Sequence, residues 1–169
     1  FGTEATSGAS NPAPKHAVVL PIVLNEFIAD VHELPTNFLS GVIAARSRAD
    51  FFARNDAGPR RVLACAPASV QRFVYVSSLA AAGPAIRGRQ LLGGEPEHPV
   101  TDYGASKLAA ERAVRDATIP WTIVRPCAVY GPRDAEFLRV FRLAARGVVP
   151  VFGDGSQELS FVYVEDLVR

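Results

Sequence analysis

The sequence predicts an α/β fold organised around a parallel β-sheet. Two short apolar runs, residues 72–76 and 121–124, carry the strongest strand signals, because a strand buried on both faces is continuously hydrophobic rather than alternating. Segments with helical periodicity lie before, between and after these runs. Strands that alternate with helices of about 10 to 15 residues are typical of right-handed βαβ units, which build parallel sheets.

The first 40 residues are expected to form an irregular lead to the domain. Gly, Ser, Ala and Pro dominate its opening stretch, a composition typical of flexible segments. The apolar run at 17–24 contains Pro21, which cannot donate a hydrogen bond within a central strand, so no element is assigned there. The folded domain is therefore placed at residues 41–169.

The next stretch is predicted to contain a helix, a strand and a long loop. From residue 48 onwards apolar side chains recur at helical spacing and predict one helix, bent at Gly58 and Pro59. The strand 72–76 follows it. Residues 79–102 contain four glycines and three prolines and are expected to form a loop. Loops of this length inside a compact domain usually serve a function.

The last third of the chain continues the alternation of helix and strand. A helix is expected at 103–115, a buried strand at 121–124 and a second helix at 135–146 that ends at Gly147. A further strand is expected at 159–164, and a helix begins directly after it.

Composition narrows the class of function. The chain has 169 residues, 49% of them hydrophobic and 21% charged, which describes one ordinary globular domain. Its formal net charge is +1 and no cluster of Lys and Arg occurs, so neither a nucleic acid nor a membrane surface is expected as a partner. The sequence therefore favours chemistry on a small molecule.

The cysteines and histidines exclude two further kinds of site. Cys65 and Cys127 are too few for a disulfide framework, which favours a cytoplasmic location. His16, His32 and His98 are scattered without the spacing of metal ligands, so no metal site is expected.

Tyr103 and Lys107 form the clearest chemical pattern. They stand four residues apart, so both side chains lie on one face of the predicted helix. A phenol with a pKa of about 10 is a poor acid or base near neutrality, but a neighbouring ammonium lowers that pKa. By chance alone such a pair has a probability of roughly 5%, and the residues alone leave open an accidental pair on a surface helix.

Two serines follow the predicted strand 72–76. Open parallel sheets bind their ligands at the carboxyl ends of the strands, where Ser77 and Ser78 stand. Serines at strand ends are also ordinary turn residues. A functional role for Ser78 is favoured because Ser78 precedes Tyr103 by 25 residues, and the loop between them is long enough to frame a pocket.

Four motifs together carry a resemblance to a known family. Over about residues 48–169 the chain resembles the extended short-chain dehydrogenases/reductases, the NAD-dependent epimerase/dehydratase family. The resemblance implies a Rossmann-like, doubly wound parallel sheet that is incomplete in its first βαβ unit and truncated at the C-terminus. The motifs occur in the family's order and spacing, and they are F-V-Y-V-S-S at 73–78, Y-G-A-S-K at 103–107, R-P-C-A-V-Y-G-P at 125–132, and G-D-G at 153–155 before F-V-Y-V-E-D at 161–166.

The resemblance implies four catalytic residues. Tyr103 would be the general acid/base, Lys107 would lower its pKa, and Ser78 would bind the reacting oxygen. Asn55 matches the family's helix asparagine, whose backbone carbonyl holds a water of the proton relay. Pro59 has no N–H and crowds the carbonyl four residues before it, so the Asn55 carbonyl is left for another donor. A helix-surface amide is an equally weighted interpretation of Asn55.

The resemblance also implies NAD or NADP as the cofactor. Tyr103 and Lys107 would bind the nicotinamide ribose, and Ser77, Pro126 and Val129 would line the cofactor cleft. The expected partner is a small-molecule substrate, with a homodimer as a possible assembly of the full-length protein.

The N-terminal part departs from the family. The family binds the cofactor pyrophosphate with a Gly-x-x-Gly-x-x-Gly turn after its first strand, and this chain has no such turn. Before Gly58 its glycines are only Gly2, Gly8 and Gly41, and the chain contains no Met. We therefore expect a fragment whose first βαβ unit is lost or whose residues 1–40 are not native to the fold.

Leu159 departs from the members that act on nucleotide sugars. In those members an arginine near this position binds the diphosphate, which a leucine cannot do. The resemblance therefore favours an NAD(P)-dependent oxidoreductase that transfers hydride at a carbinol or keto carbon of an apolar, non-nucleotide substrate. Two alternatives remain open: a nucleotide-sugar epimerase or dehydratase, and a catalytically silent binding protein without the cofactor cradle.

Overall fold

A computed structural model of the chain describes residues 17–20, 41–149, 151 and 154–169, and the side chains of all of these except 17–20. Most of the expected lead, residues 1–40, lies outside the described residues. Within the lead, Ala17–Leu20 forms a strand, β1, although no element was assigned there because of the proline that follows.

The larger sheet has three parallel strands in the order β1-β2-β3, with β2 at Arg72–Val76 and β3 at Trp121–Val124. Phe73 is in register with Trp121 in β3 and with residue 18 in β1. The two strands expected from their apolar runs thus have the predicted bounds. The parallel pairing confirms the predicted α/β fold with a parallel sheet.

The expected bent helix is instead two helices, α1 at Arg48–Asn55 and α2 at Ala57–Cys65, separated by Asp56. The prediction of one helix bent at Gly58 and Pro59 was wrong in its position. Pro59 cannot donate to the carbonyl four residues earlier, so the helical hydrogen bonds are interrupted one turn before the proline. The proline itself then lies in the first turn of α2, where no donor is needed.

The longest helix, α3 at Asp102–Arg115, covers the larger sheet. Its first turn is capped by Thr101, whose Oγ1 accepts a hydrogen bond from the Gly104 N–H at 3.0 Å. The buried face of α3 packs against α2 and β2 and forms the hydrophobic core with them. The core residues are Val62, Phe73, Tyr75, Ala110 and Val114.

The long loop before α3 begins with one turn of 3₁₀ helix at Leu79–Ala81, capped by the Ser78 side chain. This turn packs against the start of α3. A Cβ on Gly104 would lie 2.2 Å from the Ala80 carbonyl oxygen, so only glycine allows this close approach. The loop and the predicted Tyr103 helix are therefore locked together next to Ser78.

The last third forms a second, two-stranded parallel sheet from β4 at Ala128–Tyr130 and β5 at Phe161–Tyr163. Strand β4 was not predicted from the sequence. Strand β5 was predicted, but as part of the same parallel sheet as β2 and β3. Helix α4, Ala135–Ala144, lies between them in sequence, and helix α5, Val164–Val168, follows. Gly147 has φ +78 and ends the turn after α4 as expected.

Neither a membrane span nor a metal cluster is found in the described part of the chain. None of its helices is long and apolar enough to cross a bilayer. Its His, Cys, Asp and Glu side chains form no group of three that could hold a metal ion.

Candidate active site

Tyr103 and Ser78 meet at the carboxyl end of β2. Tyr103 lies in the first turn of α3, is half-buried, and packs its ring against Phe51 with 6.2 Å between ring centres. Burial raises the pKa of the Tyr103 phenol, and a hydrogen bond with the Ser78 side chain opposes that rise. The Ser78 hydroxyl also accepts from the Ala80 N–H at 3.2 Å. The phenol therefore keeps its proton at neutral pH.

Lys107 lies one turn further along α3 and is 2% exposed. Its ammonium donates to the Val76 carbonyl at 2.9 Å and lies 4.6 Å from the centre of the Tyr75 ring. Burial lowers the pKa of Lys107 to about 8, while the negative charge of Glu111 opposes this shift. The ammonium is thus directed at the last residue of β2, two positions before Ser78.

The expected lowering of the Tyr103 pKa by Lys107 is not seen in this structure. The Tyr103 pKa is raised, and the opposing influence comes from Ser78 rather than from the ammonium. The physical reason is the position of the Lys107 nitrogen, which is engaged by the Val76 carbonyl and the Tyr75 ring.

Asn55 is a buried structural amide, 2% exposed, and not a helix-surface residue. Its Oδ1 accepts from the Val42 N–H at 2.8 Å, and its Nδ2 donates to the Val42 carbonyl at 2.9 Å and to the Ser106 hydroxyl at 3.0 Å. The Ser106 hydroxyl in turn donates to the Tyr103 carbonyl at 2.7 Å. The side chain therefore links α1 to the first turn of α3, and its backbone carbonyl still lacks the donor that Pro59 would otherwise supply.

The expected cofactor-lining residues lie in two places. Ser77 is fully buried, and its hydroxyl has no hydrogen-bond partner among the described residues. Pro126 is buried just after β3, and its carbonyl accepts from the Leu79 N–H at 2.8 Å. Val129 is half-buried in β4, opposite Val162 of β5. Ser77 and Pro126 thus lie at the carboxyl ends of neighbouring strands, while Val129 belongs to the second sheet.

A buried charge network beside Lys107 was not predicted from the sequence. Glu111 is 0% exposed and accepts from Arg125 at 2.9 and 2.6 Å and from Arg115 at 2.8 Å. Glu97, in the long loop, accepts from both arginines at 2.8 and 2.9 Å. A signal was present, since Glu111 stands four residues after Lys107 on the same face of a predicted helix.

Ion pairing shifts the pKa values of two members of the network, Arg125 and Glu97. Hydrogen bonding to Glu111 raises the pKa of Arg125, and hydrogen bonding to Arg125 lowers the pKa of Glu97.

A cavity of about 220 Å³ was also not expected from the sequence. It begins at Leu79, directly after Ser78, and most of its wall comes from the long loop. Its lining residues are Leu79, Ala82, Leu91, Leu92, Gly93, Glu95, Pro96 and Arg125. The loop therefore frames an open space, lined by both apolar and charged side chains, next to the strand end that carries the candidate site.

Comparison with known proteins supports the resemblance of the motifs. Over 129 residues the chain is 40% identical to a ceramide reductase of Caulobacter vibrioides, a match that covers 76% of this chain and 36% of the relative. It is 34% identical over 106 residues to a UDP-glucose 4-epimerase of Vibrio cholerae, covering 59% of this chain and 32% of the relative.

A solved structure confirms the fold. The UDP-glucuronic acid 4-epimerase of Bacillus cereus in complex with NAD superimposes with a TM-score of 0.67 at 22% identity, covering 78% of this chain and 46% of that one. The chain thus spans less than half the length of these relatives. The sequence model of the NAD dependent epimerase/dehydratase family matches residues 32–169, the greater part of the chain, which therefore belongs to that family.

Proposed function

We propose that the full-length protein is an NAD(P)-dependent oxidoreductase that transfers hydride at a carbinol or keto carbon of an apolar, non-nucleotide substrate. The observation that carries this proposal is the position of Ser78 and Tyr103 at the carboxyl end of a parallel strand, where the 3₁₀ turn after Ser78 packs against the first turn of α3. Two hydroxyls at such a place can bind one substrate oxygen between them.

The proposed roles follow from the protonation of each group. Tyr103 holds its proton at neutral pH because burial raises its pKa, so it would donate that proton to a substrate oxygen during reduction. Ser78 would bind the same oxygen and orient it. Asn55 would offer its backbone carbonyl to a water that returns a proton to the phenol. Lys107 would bind the nicotinamide ribose through its ammonium.

The described residues fit the nicotinamide-ribose half of NAD or NADP. The donor set of Tyr103 and Lys107 suits a ribose diol, and the unpartnered hydroxyl of Ser77 is a further buried polar atom at the same strand end. Pro126 and Val129 would line the cleft. When bound, NAD(P) supplies or accepts the hydride. NAD is the cofactor in the Bacillus cereus structure with the same fold.

The proposed substrate class depends on two features of this chain. Leu159 is 68% exposed just before β5, where a phosphate-binding arginine is expected in nucleotide-sugar enzymes. The cavity after Ser78 presents leucine and alanine side chains beside the charged groups of Glu95 and Arg125. The similarity to a ceramide reductase favours the same class. The similarity to a UDP-glucose 4-epimerase keeps a nucleotide-sugar epimerase as the second candidate function.

The proposal also includes a cellular location and an oligomeric state. Cys65 and Cys127 are both free thiols, which agrees with a cytoplasmic location. A homodimer of the full-length protein is proposed as its assembly, and analytical ultracentrifugation tests it.

A substrate panel tests the proposed function. The full-length protein is mixed with NADH or NADPH and with a long-chain keto lipid, a 3-keto steroid or UDP-glucose, and nicotinamide absorbance is followed. Oxidation of the reduced cofactor with one of the apolar ketones supports the proposal. Epimerisation of UDP-glucose without turnover of the ketones supports the second candidate instead. Absence of cofactor binding supports the silent binding protein.

A further inference from the structure

The long loop before α3 leaves the fold and returns to it at one place. The His98 N–H donates to the Ala82 carbonyl at 3.0 Å, which brings the two ends of the segment 83–97 together. Gly83 lies at this closure with φ +92, and a Cβ there would collide with the His98 carbonyl oxygen. The segment 83–97 is therefore a compact loop with adjacent ends, a type of loop that frequently serves a function.

Glu97 joins the end of this loop to the site helix and to the strand beside it. Its Oε1 accepts from Arg115 of α3 at 2.9 Å and from Arg125, which follows β3, at 2.8 Å. Both arginines also bind Glu111, which is 0% exposed, so their guanidinium groups are fixed from inside the protein. A single surface ion pair contributes little, whereas a charge that joins a network of this kind can hold a segment in place.

The remaining side-chain hydrogen bonds of the loop to described residues are weaker or internal. The Gly88 N–H reaches the Glu158 carboxylate only at 3.4 Å. The Glu95 carboxylate accepts from the Leu92 N–H at 2.8 Å, so that bond stays within the loop. Most of the loop is exposed, including the Leu92 side chain at 86%. The position of the loop relative to the site therefore depends chiefly on Glu97 and on the closure at the loop ends.

The ion pairs of Glu97 lie beside the cavity next to Ser78. The loop supplies one wall of that cavity from within the segment 91–96, which leads directly into Glu97. The opposite wall comes from the residues that follow Ser78 and from Arg125. Arg125 thus belongs to one wall, while its guanidinium binds the residue that ends the other. The ion pair between Glu97 and Arg125 therefore sets the separation of the two walls.

We propose that Glu97 is a positioning residue for substrate selection: its two ion pairs hold the segment 91–96 where it contacts the part of a substrate that extends beyond the reacting oxygen. Leu91 and Leu92 of that segment offer apolar contacts, so the selected substrate is a ketone with an extended apolar chain. The inference rests on the proposed function, in which Ser78 binds the reacting oxygen. A ketone without such a chain would not reach the loop and would not depend on Glu97.

Trypsin measures whether Glu97 holds the loop. Arg87 and Arg89 lie in its exposed part and provide cleavage sites there. In the full-length protein Glu97→Gln removes the charge and keeps the size of the side chain. We expect cleavage after the two arginines to become roughly tenfold faster, the equivalent of one lost charge-assisted hydrogen bond. Glu158→Gln removes the weak contact with Gly88 and is the matched control, with little change expected. Unchanged cleavage in Glu97→Gln, or equal acceleration in both variants, overturns the proposal.

Steady-state kinetics measure whether the loop held by Glu97 selects the substrate. In the full-length protein Glu97→Gln should raise the KM for the long-chain keto lipid by roughly tenfold and leave kcat within about twofold, because only binding contacts are lost. Butanone is too short to reach the segment 91–96, so the variant and the parent should reduce it equally well. Glu158→Gln should match the parent with both ketones. A kcat that falls with both ketones in Glu97→Gln would assign Glu97 to the integrity of the site and overturn the proposal.

The two measurements keep this inference apart from the proposed function. If the parent reduces no ketone, the proposed function fails and the selection role fails with it, while the trypsin experiment still decides whether Glu97 holds the loop. If ketones are reduced but the KM of the long-chain keto lipid ignores Glu97, the selection role fails alone.

Discussion

The Lys107 ammonium lies 4.6 Å from the centre of the Tyr75 ring while it donates a hydrogen bond to the adjacent Val76 carbonyl. A cation over an aromatic face is stabilised by the ring quadrupole, and the carbonyl adds a second interaction. These interactions do not replace the water that burial has removed, because the pKa of Lys107 is still lowered to about 8. The site therefore contains an ammonium whose charge destabilises the fold.

The stability of the chain should consequently depend on pH. Below pH 8 Lys107 is charged in both the folded and unfolded states, and its burial costs stability. Between pH 8 and the unfolded pKa of about 10.4 the unfolded chain binds the extra proton, so the free energy of unfolding rises with pH. From about pH 7 to about pH 9.5 we expect a gain of roughly 2 kcal/mol by urea denaturation. The Lys107→Met variant should lack this gain, and a parent stability that falls across the same range contradicts the assignment.

Some of the fold was predictable because single segments determine it. The bounds of β2 and β3 followed from their continuous runs of strand-forming residues. Strand β4 has three residues, too few to show a periodicity, and it forms only because β5 pairs with it. The break between α1 and α2 was expected two to three residues too late, because the proline acts on the carbonyl four residues before it.

In the candidate site, too, some residues can be identified from sequence motifs, whereas other contacts arise only in the fold. Tyr103, Lys107 and Ser78 were predicted as site residues because motifs place them at fixed spacing, and this assignment stays a prediction. The burial of Asn55 could not be found, because its partners Val42 and Ser106 lie far from it in the sequence and an asparagine on a helix is normally exposed. The ion pairs of Glu111 likewise depend on a loop and a strand end that only the fold brings together.

The Asn55→Ala variant should destabilise the chain strongly. It removes three hydrogen bonds at a buried position and leaves both backbone groups of Val42 without their partner. Leaving buried polar groups unpaired should cost roughly 2–4 kcal/mol in the free energy of unfolding, measured by urea denaturation. Ser106→Ala removes only one of these bonds and serves as the control, with a smaller loss. Equal losses in the two variants would show that the Val42 contacts contribute little.

The Gly104→Ala variant should separate α3 from the turn that follows Ser78. The added Cβ would lie 2.2 Å from the Ala80 carbonyl oxygen, a backbone atom that cannot rotate away. We expect a loss of about 1–3 kcal/mol and a change in the aromatic NMR signals of Tyr103 as the helix moves. Gly94→Ala is the matched control: Gly94 has φ +88 with no heavy atom within 4 Å, so it should cost stability without moving those signals. Unchanged Tyr103 signals in Gly104→Ala would contradict the close approach.

The Tyr103→Phe variant tests the assigned acid/base. In the full-length protein its turnover should fall by ~10²–10⁴-fold, the usual contribution of a positioned acid or base, while cofactor affinity is largely kept. Tyr163→Phe removes a hydroxyl from β5 and is the control for loss of a phenol elsewhere. Turnover within a few-fold of the parent in Tyr103→Phe would assign the proton transfer to another group.

The last prediction concerns Leu159 and the choice between the two candidate functions. An exposed leucine at the expected phosphate contact provides no charge-assisted hydrogen bond, so the full-length protein should bind UDP weakly in calorimetric titrations. Leu159→Arg would add such a bond, and UDP affinity should then increase by roughly tenfold to a hundredfold, the equivalent of about 1.5–3 kcal/mol. Leu159→Gln has a similar size without the charge and should gain little. Micromolar binding of UDP by the parent would contradict the apolar substrate and favour the nucleotide-sugar epimerase, because some other cation would then have to bind the diphosphate.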